Sequence, residues 1–496
     1  MIFPGRFCAC VFLFFGLVAC SEGAGRDVVR NVAAPAQTST SFSVPMPPVE
    51  FRGLWVATVD NIDWPSAKGL SVESQKAELV AILDRALVLH FNAVLLQVRP
   101  SCDAFYNSRY EPWSEFLSGQ MGQHPRFDPL AFAIQEAHRR GLELHAWFNP
   151  FRVRMPSATN AASANHVSKK HPEFVRSYGR YLWLDPTDKR ARDYSLRVIM
   201  DLVERYDVDG VHFDDYFFPY KEKGQDFPDS ANWRAYLAKG GKLTRADWRR
   251  DCVNQFVFSV YSTIKGKKPW VRFGISPFGI WQPKYPPQVQ GFNAYEELYA
   301  DSRKWLMNGW VDYLTPQLYW SIHSPGQSFP VLLKWWVEQN RMGRYIWPGM
   351  SQTLEVAEQV GLIRKICPVP GGVFWHAKTL MQNSNNVDVT FLGRVYATPA
   401  LVPPSPWLYN KSPLQPVVSG TSGKDRLKVW WRAGGRERVS KWYIQQKFGN
   451  RWSAQLVSGD MTSKSYKKGD LIPDAVVVWG VDRFGNASKP GVYRNR

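Results

Sequence analysis

Cysteine, acidic residues and long apolar runs are all scarce in this chain of 496 residues. Six cysteines in a chain of this length exclude a small disulfide-stapled scaffold. Beyond the first twenty residues no apolar run is long enough to cross a bilayer, so a soluble body is expected. The 43 Asp and Glu are outnumbered by 62 Lys and Arg, giving a formal net charge of +19. Aromatic residues are abundant, with 22 Trp, 21 Tyr and 29 Phe, which excludes a disordered or coiled-coil chain.

The N-terminal segment is typical of a bacterial lipoprotein signal. Residues 1–19 contain one charge and a short apolar run, and Leu-Val-Ala precedes Cys20. This resembles the lipobox, in which the cysteine is lipidated and becomes the new N-terminus, held on a membrane by its acyl chains. Ser21 rather than Asp follows it, which favours the outer membrane, facing the periplasm. Residues 20–49 are rich in Ala, Ser, Thr and Pro and predict a flexible tether.

Signal cleavage would leave three thiols beside the lipidated one, at Cys102, Cys252 and Cys367. An odd number allows at most one disulfide, and their spacing fits no zinc site. The sequence therefore favours buried cysteines that act as small apolar residues.

Short apolar runs alternate with amphipathic helical patterns across residues 50–397. Such alternation indicates βα units and a parallel sheet. Eight units predict an α/β fold, a (β/α)8 TIM barrel with enlarged βα loops. The predicted strands are residues 53–59, 93–98, 142–148, 210–213, 271–275, 313–319, 345–348 and 372–375.

The longest predicted loops follow the second, third and fourth strands, on the face where barrel enzymes carry their active sites. They are residues 101–127, 150–187 and 217–245. Asp128-Pro129 and Asp185-Pro186 are typical of helix N-caps, and Gly141 is typical of a helix end. The competing doubly wound sheet is disfavoured because no Gly-rich phosphate loop follows the first strand.

The C-terminal sixth of the chain has a different character. Residues 398–414 are rich in proline and predict a linker. Short strands dominate residues 415–496 and predict a small β-sandwich, with a late strand and turn that resemble fibronectin type III domains. This domain has 16 Lys and Arg against 6 Asp and Glu, with the densest run at Lys464, Lys467 and Lys468. It is predicted to favour anionic partners such as cell-wall polymer or lipid head groups.

The predicted strand end with the most polar residues is Asp-Gly-Val-His-Phe-Asp-Asp-Tyr, residues 209–216. Side chains of a strand alternate between its faces, so His212, Asp214 and Tyr216 share one face, which we assign to the barrel interior. Asp215 has the opposite parity and joins them only if the chain bends. Two carboxyl groups at the C-terminal end of a barrel strand predict acid–base catalysis by Asp214 and Asp215.

Other predicted strand ends contribute aromatic and polar side chains. Aromatic rings stack on the apolar faces of sugars, whereas amide, imidazole and guanidinium groups bind sugar hydroxyls. A glycan-binding cleft is therefore predicted. Its candidate substrate-binding residues are Gln97, Arg99, Asp103, His145, Trp147, Asn149, Arg152, His212, Tyr216, Trp281, Gln317, Tyr319, Trp320 and Trp375.

Five ordered motifs resemble the glycosyl hydrolase-like 10 lipoproteins, over residues 49–398. The resemblance implies a TIM barrel at the cell envelope that hydrolyses glycans. Members of this family are linked to cleavage of peptidoglycan strands stripped of their peptides. The motifs are residues 51–56, 97–100, 136–143, 209–216 and 316–320.

The motif after the fourth strand is also similar, more distantly, to two other groups of barrel glycosidases. In amylase-like enzymes the Asp four residues after the Gly is the nucleophile, and that position is Asp214. In chitinase-like enzymes the aligned run ends in a Glu, which is Tyr216 here, so a substrate-assisted mechanism is disfavoured. Glycoside hydrolysis normally needs two carboxyl groups, and the sequence leaves Asp103, Glu111 and Glu143 open as sources of the second.

Two other functions remain compatible with these residues. A metal-dependent polysaccharide deacetylase would use His212, Asp214 and His145 as ligands, but no HxxxH or HExxH pattern occurs. The other is a non-catalytic, glycan-binding envelope lipoprotein. The favoured hydrolase requires neither metal nor cofactor. Its expected partners are cell-wall glycan and, through lipidated Cys20, the membrane, whereas nucleic acid is not expected outside the cytoplasm.

Overall fold

The computed structural model describes residues 43–158, 160–351, 353–424 and 426–495. The predicted signal peptide, Cys20 and most of the predicted tether lie outside these ranges. Residues 46–496 form one unit, to which the description below refers. None of the helices in the described ranges combines the length and the apolar character that crossing a bilayer requires.

The N-terminal domain contains twelve strands within the described residues. They are β1 Phe51–Val56, β2 Ala93–Arg99, β3 Glu143–Phe148, β4 Arg152–Arg154, β5 Val175–Tyr178, β6 Tyr181–Leu184, β7 Gly210–Phe213, β8 Arg272–Ile275, β9 Tyr313–Leu314, β10 Tyr345–Ile346, β11 Gly349–Met350 and β12 Gly371–Phe374. Nine of them form one parallel sheet in the order β10-β9-β8-β7-β3-β2-β1-β12-β11. Only Trp347 and Pro348 separate β10 from β11, so the two ends of this order are one strand and the sheet closes. The predicted (β/α)8 barrel is confirmed, with its eight strands where the alternation placed them.

Helices connect the strands and surround the barrel. In the described part of the chain they are α1 Val72–Val88, α2 Glu115–Ser118, α3 Pro129–Arg139, α4 Val167–Lys170, α5 Lys189–Arg205, α6 Ser230–Ala238, α7 Arg245–Lys267, α8 Ala294–Glu297, α9 Ser302–Met307, α10 Phe329–Glu338, α11 Val356–Ile366, α12 Ala377–Met381 and α13 Val387–Thr390. Short 3-10 turns lie at Val59–Asn61, Pro172–Phe174 and Ser384–Asn386, and a π-helical turn at Phe391–Val395.

The first predicted helix cap is confirmed at α3. The Asp128 carboxylate accepts from the backbone N–H of Ala131 over 3.0 Å, and Pro129 occupies the first helical position, where its missing N–H has no cost. The helix stops just before Gly141, whose φ of +73° is a conformation that favours glycine.

The second predicted cap is wrong by three residues. The cap of α5 is Asp188, which accepts from the backbone N–H of Arg190 over 2.9 Å. Asp185 is instead buried and accepts from the backbone N–H and the hydroxyl of Thr187, at 2.9 and 2.6 Å. Its side chain therefore closes a turn that precedes the helix.

The enlarged loops occur after the predicted strands. The loop after β2 holds α2, and the loop after β7 holds α6. The loop after β3 holds a separate antiparallel sheet in the order β4-β6-β5. Its first residue is Arg152, so this insertion brings a cation to the C-terminal end of the barrel, which we call the mouth.

Two glycines make room for large side chains inside the barrel. A Cβ at Gly210 on β7 would overlap the His145 ring, and a Cβ at Gly274 on β8 would overlap the Tyr313 ring. The interior is thus filled by aromatic and imidazole groups, and glycine at these positions is required by close approach.

The three thiols of the described residues, Cys102, Cys252 and Cys367, are buried and unbridged. Burial raises the pKa of Cys252 to about 11 and that of Cys367 to about 12. They are therefore small apolar core groups rather than nucleophiles.

The C-terminal domain is the predicted β-sandwich. Its strands are β13 Val417–Gly423, β14 Arg426–Arg432, β15 Lys441–Phe448, β16 Arg451–Ser458, β17 Ser463–Tyr466, β18 Ala475–Val481 and β19 Gly491–Arg494. One antiparallel sheet has the order β13-β14-β17 and the other β16-β15-β18-β19. The division into three and four strands agrees with the fibronectin type III-like prediction, and the apolar core lies between the sheets.

The sandwich packs against the N-terminal end of the barrel strands, which we call the base. The proline-rich stretch before it is part of this contact: Trp407 donates to Asp312 over 2.8 Å, and the Pro403 carbonyl accepts from Arg272 over 2.9 Å. Residues 441–446 of β15 are buried on both faces, one against the sandwich core and one against the barrel. The two domains are therefore joined by a packed interface.

Candidate active site

Asp214 lies at the mouth, directly after β7. Its carboxyl group is 6% exposed and accepts hydrogen bonds from the indole N–H of Trp147 over 3.1 Å and from the amide of Asn149. The backbone N–H of Tyr216 donates to its other oxygen over 3.3 Å. Residues from β3 and its following loop thus fix the position of this carboxyl group.

Asp215 joins the same end of the barrel because β7 ends at Phe213, so strand alternation no longer separates the two carboxyl groups. Its side chain is 3% exposed. The Tyr220 hydroxyl donates to one oxygen over 2.5 Å, and the Gln317 amide donates to the other over 3.1 Å. The chain therefore bends after β7, as is required for Asp215 to join Asp214.

Both carboxyl groups hold protons more tightly than an exposed aspartic acid does. Burial raises the pKa of Asp214 to about 7, and the charge of Asp215 adds to the rise against the opposing charge of Arg152. Burial also raises the pKa of Asp215, against the hydrogen bonds from Tyr220 and Gln317. Two neighbouring buried carboxyl groups with raised pKa values supply the protonatable groups that general acid–base chemistry uses.

Arg152 is a buried cation with unused hydrogen-bonding capacity. It is 5% exposed, and its guanidinium carbon lies 4.3 Å from the centre of the Tyr216 ring. Among the described residues it has no ion-pair partner within 4.0 Å, and its buried Nε has no acceptor. Its charge lowers the pKa of both Asp214 and Asp215. A buried guanidinium without acceptors is costly, so this arrangement suits a site whose acceptor arrives with the substrate.

Gln97 and Asn149 form a fixed chain behind Asp214. The side-chain oxygen of Gln97 accepts from the backbone N–H groups of Thr58 and Val59, each over 2.9 Å. Its amide nitrogen therefore points to the Asn149 oxygen, 2.7 Å away, and leaves the Asn149 nitrogen to donate to Asp214. The loop after β1 thus sets the orientation of a hydrogen-bond donor at the carboxyl group.

The floor of the mouth is a hydrogen-bonded chain of aromatic and imidazole groups. Trp55 can only donate, so its contact of 3.2 Å makes His212 Nε2 an acceptor and places the proton on Nδ1. His212 then donates to the Tyr313 hydroxyl over 3.1 Å, which donates to His145 over 2.8 Å. His145 faces Glu143 at 3.4 Å. Burial lowers the pKa of His212 well below its usual range, so this ring is neutral.

The rim of the mouth is partly exposed and aromatic. Trp375, after β12, packs edge-on against Trp55 and Trp147, with ring centres 6.0 and 6.2 Å apart. Tyr319 meets Trp55 at 6.5 Å. The Trp375 and Tyr319 rings thus provide apolar surface at the mouth, as sugar binding requires. Trp320 packs instead against Phe278, with ring centres 5.8 Å apart.

Two predicted substrate-binding residues, Arg99 at the end of β2 and Asp103 in the loop that follows, are buried and not open to the mouth. Arg99 is fully buried because Glu111 and the carbonyls of Asn149 and Pro150 take up its guanidinium, at 2.6 to 3.0 Å. Asp103 is also fully buried, and burial raises its pKa to about 7. The pairing of β2 with β3 shifts register between Gln97 and Arg99, which breaks the alternation of side chains at this end of the strand.

Trp281 and Glu143 also lie elsewhere. Trp281 donates to Asp301 over 3.2 Å and stacks near Trp335, against α9 and α10. Glu143 is the first residue of β3 and so lies at the base, and Glu111 is paired with Arg99. Of the candidates for the second carboxyl group, only Asp215 lies beside Asp214.

Several contributing residues were not predicted. Trp55 has a usable signal in the sequence, because it shares the inward parity of β1 with Phe51. Tyr220, which holds Asp215, lies in an irregular loop, where no periodicity identifies it. Asp63 and His376 join the loops after β1 and β12 at 2.6 Å, a contact between residues distant in sequence.

The ligand set of a metal-dependent deacetylase does not fit this geometry. Both ring nitrogens of His212 are engaged, by Trp55 and by Tyr313. His145 is likewise bonded between Tyr313 and Glu143. The imidazole lone pairs that a metal would need are therefore already used as hydrogen-bond acceptors, for Trp55 at His212 and for Tyr313 at His145.

The chain is similar to several known proteins. The model of the family described as glycosyl hydrolase-like 10 matches residues 50–352. The chain is 43% identical over 390 residues to glycosyl hydrolase YngK of Bacillus subtilis (strain 168), covering 75% of this chain and 76% of that protein. It is 36% identical over 344 residues to glycosyl hydrolase DigH of Escherichia coli (strain K12), covering 65% of this chain and 76% of that protein. Among solved structures, the PgaB (BpsB) glycoside hydrolase domain from Bordetella bronchiseptica has a TM-score of 0.44 at 15% identity, covering 70% of this chain and 99% of that one.

Proposed function

Since the chain belongs to the glycosyl hydrolase-like 10 family, we propose that it is a glycoside hydrolase that cleaves peptide-stripped peptidoglycan strands at the cell envelope. The observation that carries the proposal is the pair of buried carboxyl groups at the mouth, Asp214 and Asp215, both with a raised pKa. Sites that only bind sugars do not need carboxyl groups with raised pKa values.

The proposed chemistry divides acid and base between the two carboxyl groups. Asp214 in its ionised form is the nucleophile or the base that activates water, and Asp215 supplies the proton. The glycosidic C–O bond breaks, the leaving sugar oxygen takes that proton, and the hydroxyl of water ends on the anomeric carbon. The hydrogen bonds from Trp147 and Asn149 orient Asp214 toward this task.

Arg152 supports an acidic glycan as the substrate. Removing the peptide from a muramic acid residue leaves a free carboxylate on that sugar. A buried guanidinium without an ion-pair partner among the described residues matches such a group, because it can donate two parallel hydrogen bonds. The partly exposed aromatic rim would stack on the sugar rings on either side.

The proposed location follows from the N-terminal sequence. A lipidated Cys20 would anchor the protein in the outer membrane, facing the periplasm, and residues 20–49 would span the gap to the barrel. Metabolic labelling with a clickable fatty acid checks this, with Cys20→Ala as the unlabelled control. Equal labelling of both proteins would contradict it.

The activity is tested by incubating the mature protein with peptide-stripped and with intact peptidoglycan and analysing the products by mass spectrometry. We expect shortened strands with new reducing ends from the stripped substrate, and none with Asp214→Asn. Unchanged strand lengths together with retained binding would show a glycan-binding protein instead. Deacetylated products that disappear on chelation would show a metal-dependent deacetylase.

A further inference from the structure

Two adjacent tryptophans on β14 have opposite orientations. Trp431 is buried in the sandwich core with Leu427 and Val429, whereas Trp430 is 40% exposed. The whole strand alternates in this way, because every second residue from Arg426 onward is exposed. The outward row of β14 therefore consists of one large aromatic ring among basic side chains, at Arg426, Lys428, Trp430 and Arg432.

This row lies on the outermost layer of the molecule. Sheet β16-β15-β18-β19 lies between the barrel and the other sheet, since β15 contacts Glu143 on one side and the sandwich core on the other. The outward side of sheet β13-β14-β17, which we call the outer face, therefore points away from the barrel. It lies beyond the base, at the opposite end from the mouth.

The neighbours of Trp430 leave its ring accessible. Its partners across the sheet are Ser419 on β13 and Ser463 on β17, both small hydroxyl residues. Lys428 is flanked by Thr421 and Ser465 in the same way. The three strands contain no acidic residue.

Two cations of the outer face, Lys428 and Arg432, are exposed and form no ion pair with any described residue. They stand about 7 Å on either side of Trp430 along the strand. In the densest basic run of the sequence, Lys464 instead lies over the Tyr466 ring. The exposed cations of β14 thus form a row on one side of one sheet.

We propose that the outer face is a second glycan-binding site, which takes an extended acidic polysaccharide along β14. Trp430 stacks on a sugar ring, Lys428 and Arg432 pair with carboxylates on either side, and the flanking hydroxyls bind sugar hydroxyls. A lone ring among hydroxyls suits a sugar chain better than a lipid surface, which favours a larger apolar patch beside the cations.

The position of the outer face gives it a distinct role. A stretch of glycan bound at the outer face cannot also be the stretch bound in the mouth, because the barrel and the inner sheet lie between the two sites. The site would therefore keep the enzyme on an insoluble polymer while the mouth acts on another stretch. The identity of the polymer rests on the proposed function. Under that function, the acidic glycan bound at the outer face is a peptide-stripped peptidoglycan strand.

The test measures binding separately from hydrolysis. Full-length mature protein with Asp214→Asn is sedimented with insoluble peptide-stripped peptidoglycan, with and without Trp430→Ala or the double change Lys428→Gln and Arg432→Gln. We expect about fivefold to tenfold weaker binding from either change, with the double change also reducing the dependence of binding on salt. In the background with Asp214 intact, turnover of a soluble short oligosaccharide should be unchanged.

The matched control removes two exposed cations of the same domain that lie outside sheet β13-β14-β17, as Arg451→Gln on β16 with Lys489→Gln between β18 and β19. Equal loss of binding in this control would show an effect of net charge alone and overturn the site. Unchanged binding in both outer-face variants would also overturn it. If the outer-face variants lost binding to phosphatidylglycerol vesicles but kept glycan binding, the outer face would be assigned to membrane binding instead. Thermal melting checks that each variant is folded, and failure of hydrolysis with intact binding would contradict only the proposed function.

Discussion

Lys441, on sandwich strand β15, donates to Glu143, the first residue of barrel strand β3, over 3.1 Å. Arg272 donates to the other oxygen of the same carboxylate over 2.7 Å. Burial alone would raise the pKa of Glu143, but these two cations hold it well below its usual range. The sandwich therefore supplies a charge that stabilises the base of the barrel, and the two domains share one buried ionic network.

Replacing Lys441 with Met should destabilise the protein by about 2–4 kcal/mol at neutral pH, because Glu143 stays buried and loses one of the two cations that donate to it. Since the pKa of Glu143 is depressed in the folded state, the contribution of the pair is present above the unfolded pKa and is lost as the pH falls. The deficit should therefore shrink toward acid pH. Urea unfolding at several pH values measures this, with exposed Lys468→Met as the control. A deficit that is independent of pH would contradict the ionic origin.

Asp214→Asn should abolish turnover while leaving glycan binding intact. The amide keeps the shape and the acceptor oxygen for Trp147 and Asn149, but it can neither ionise nor take up a proton. We expect kcat to fall by at least about 10³-fold. Release of reducing ends and sedimentation with the glycan measure the two quantities. Residual turnover above one tenth of the parent rate would remove Asp214 from the mechanism.

The same change should stabilise the protein at alkaline pH. Because the pKa of Asp214 is raised to about 7 in the folded state, ionising this group disfavours folding as the pH rises through the interval between its unfolded and folded values. At pH 8 the Asn variant should be about 1–3 kcal/mol more stable, and at pH 4 the two proteins should be similar. Melting temperatures at both pH values decide this, and equal stability at pH 8 would count against the raised pKa.

Asn149→Ala should shift the pH–rate profile. Its amide donates to Asp214, so its loss makes the ionised form less favourable and raises the pKa of that carboxyl group. We expect the acidic limb of kcat/KM, near pH 7 in the parent, to move upward by about 0.5–1 pH unit. Trp375→Phe, on the rim, should change KM without moving the limb. A profile that stays in place would show that Asn149 acts only by packing.

Arg152→Gln should impair the use of acidic strands selectively. If the guanidinium pairs with a substrate carboxylate, kcat/KM on peptide-stripped strands should fall by about tenfold to a hundredfold. On strands whose carboxylates have been amidated, the parent and the variant should differ little. Comparing the two substrates at one pH separates this effect from the influence of Arg152 on the aspartates. An equal loss on both would mean that Arg152 positions the carboxyl pair instead.

The fold and much of the site were accessible from the sequence. The alternation of apolar runs with helical patterns predicts the eight barrel strands. A buried strand and the buried face of a helix each require apolar residues at a regular spacing, which can be read from the local sequence. Chain order then placed the end of β7 at the mouth, so Asp214 was identifiable. The helix cap predicted at Asp185 is found at Asp188, because an Asp that closes a turn cannot be told from an Asp that caps a helix by residue type alone.

What remained depends on residues that are distant in the chain. Asp215 joins Asp214 because β7 stops at Phe213, and where a strand stops is set by its neighbours in the sheet. The tautomer of His212 follows from its contact with Trp55, 157 residues away in sequence. Local patterns in the chain thus suffice for the barrel, the sandwich and the motif that carries the carboxyl groups. Contacts between distant residues set the partners of those groups, leave Arg152 without an ion-pair partner among the described residues and pack the sandwich against the base. No local pattern encodes such contacts, because they form only when the chain folds.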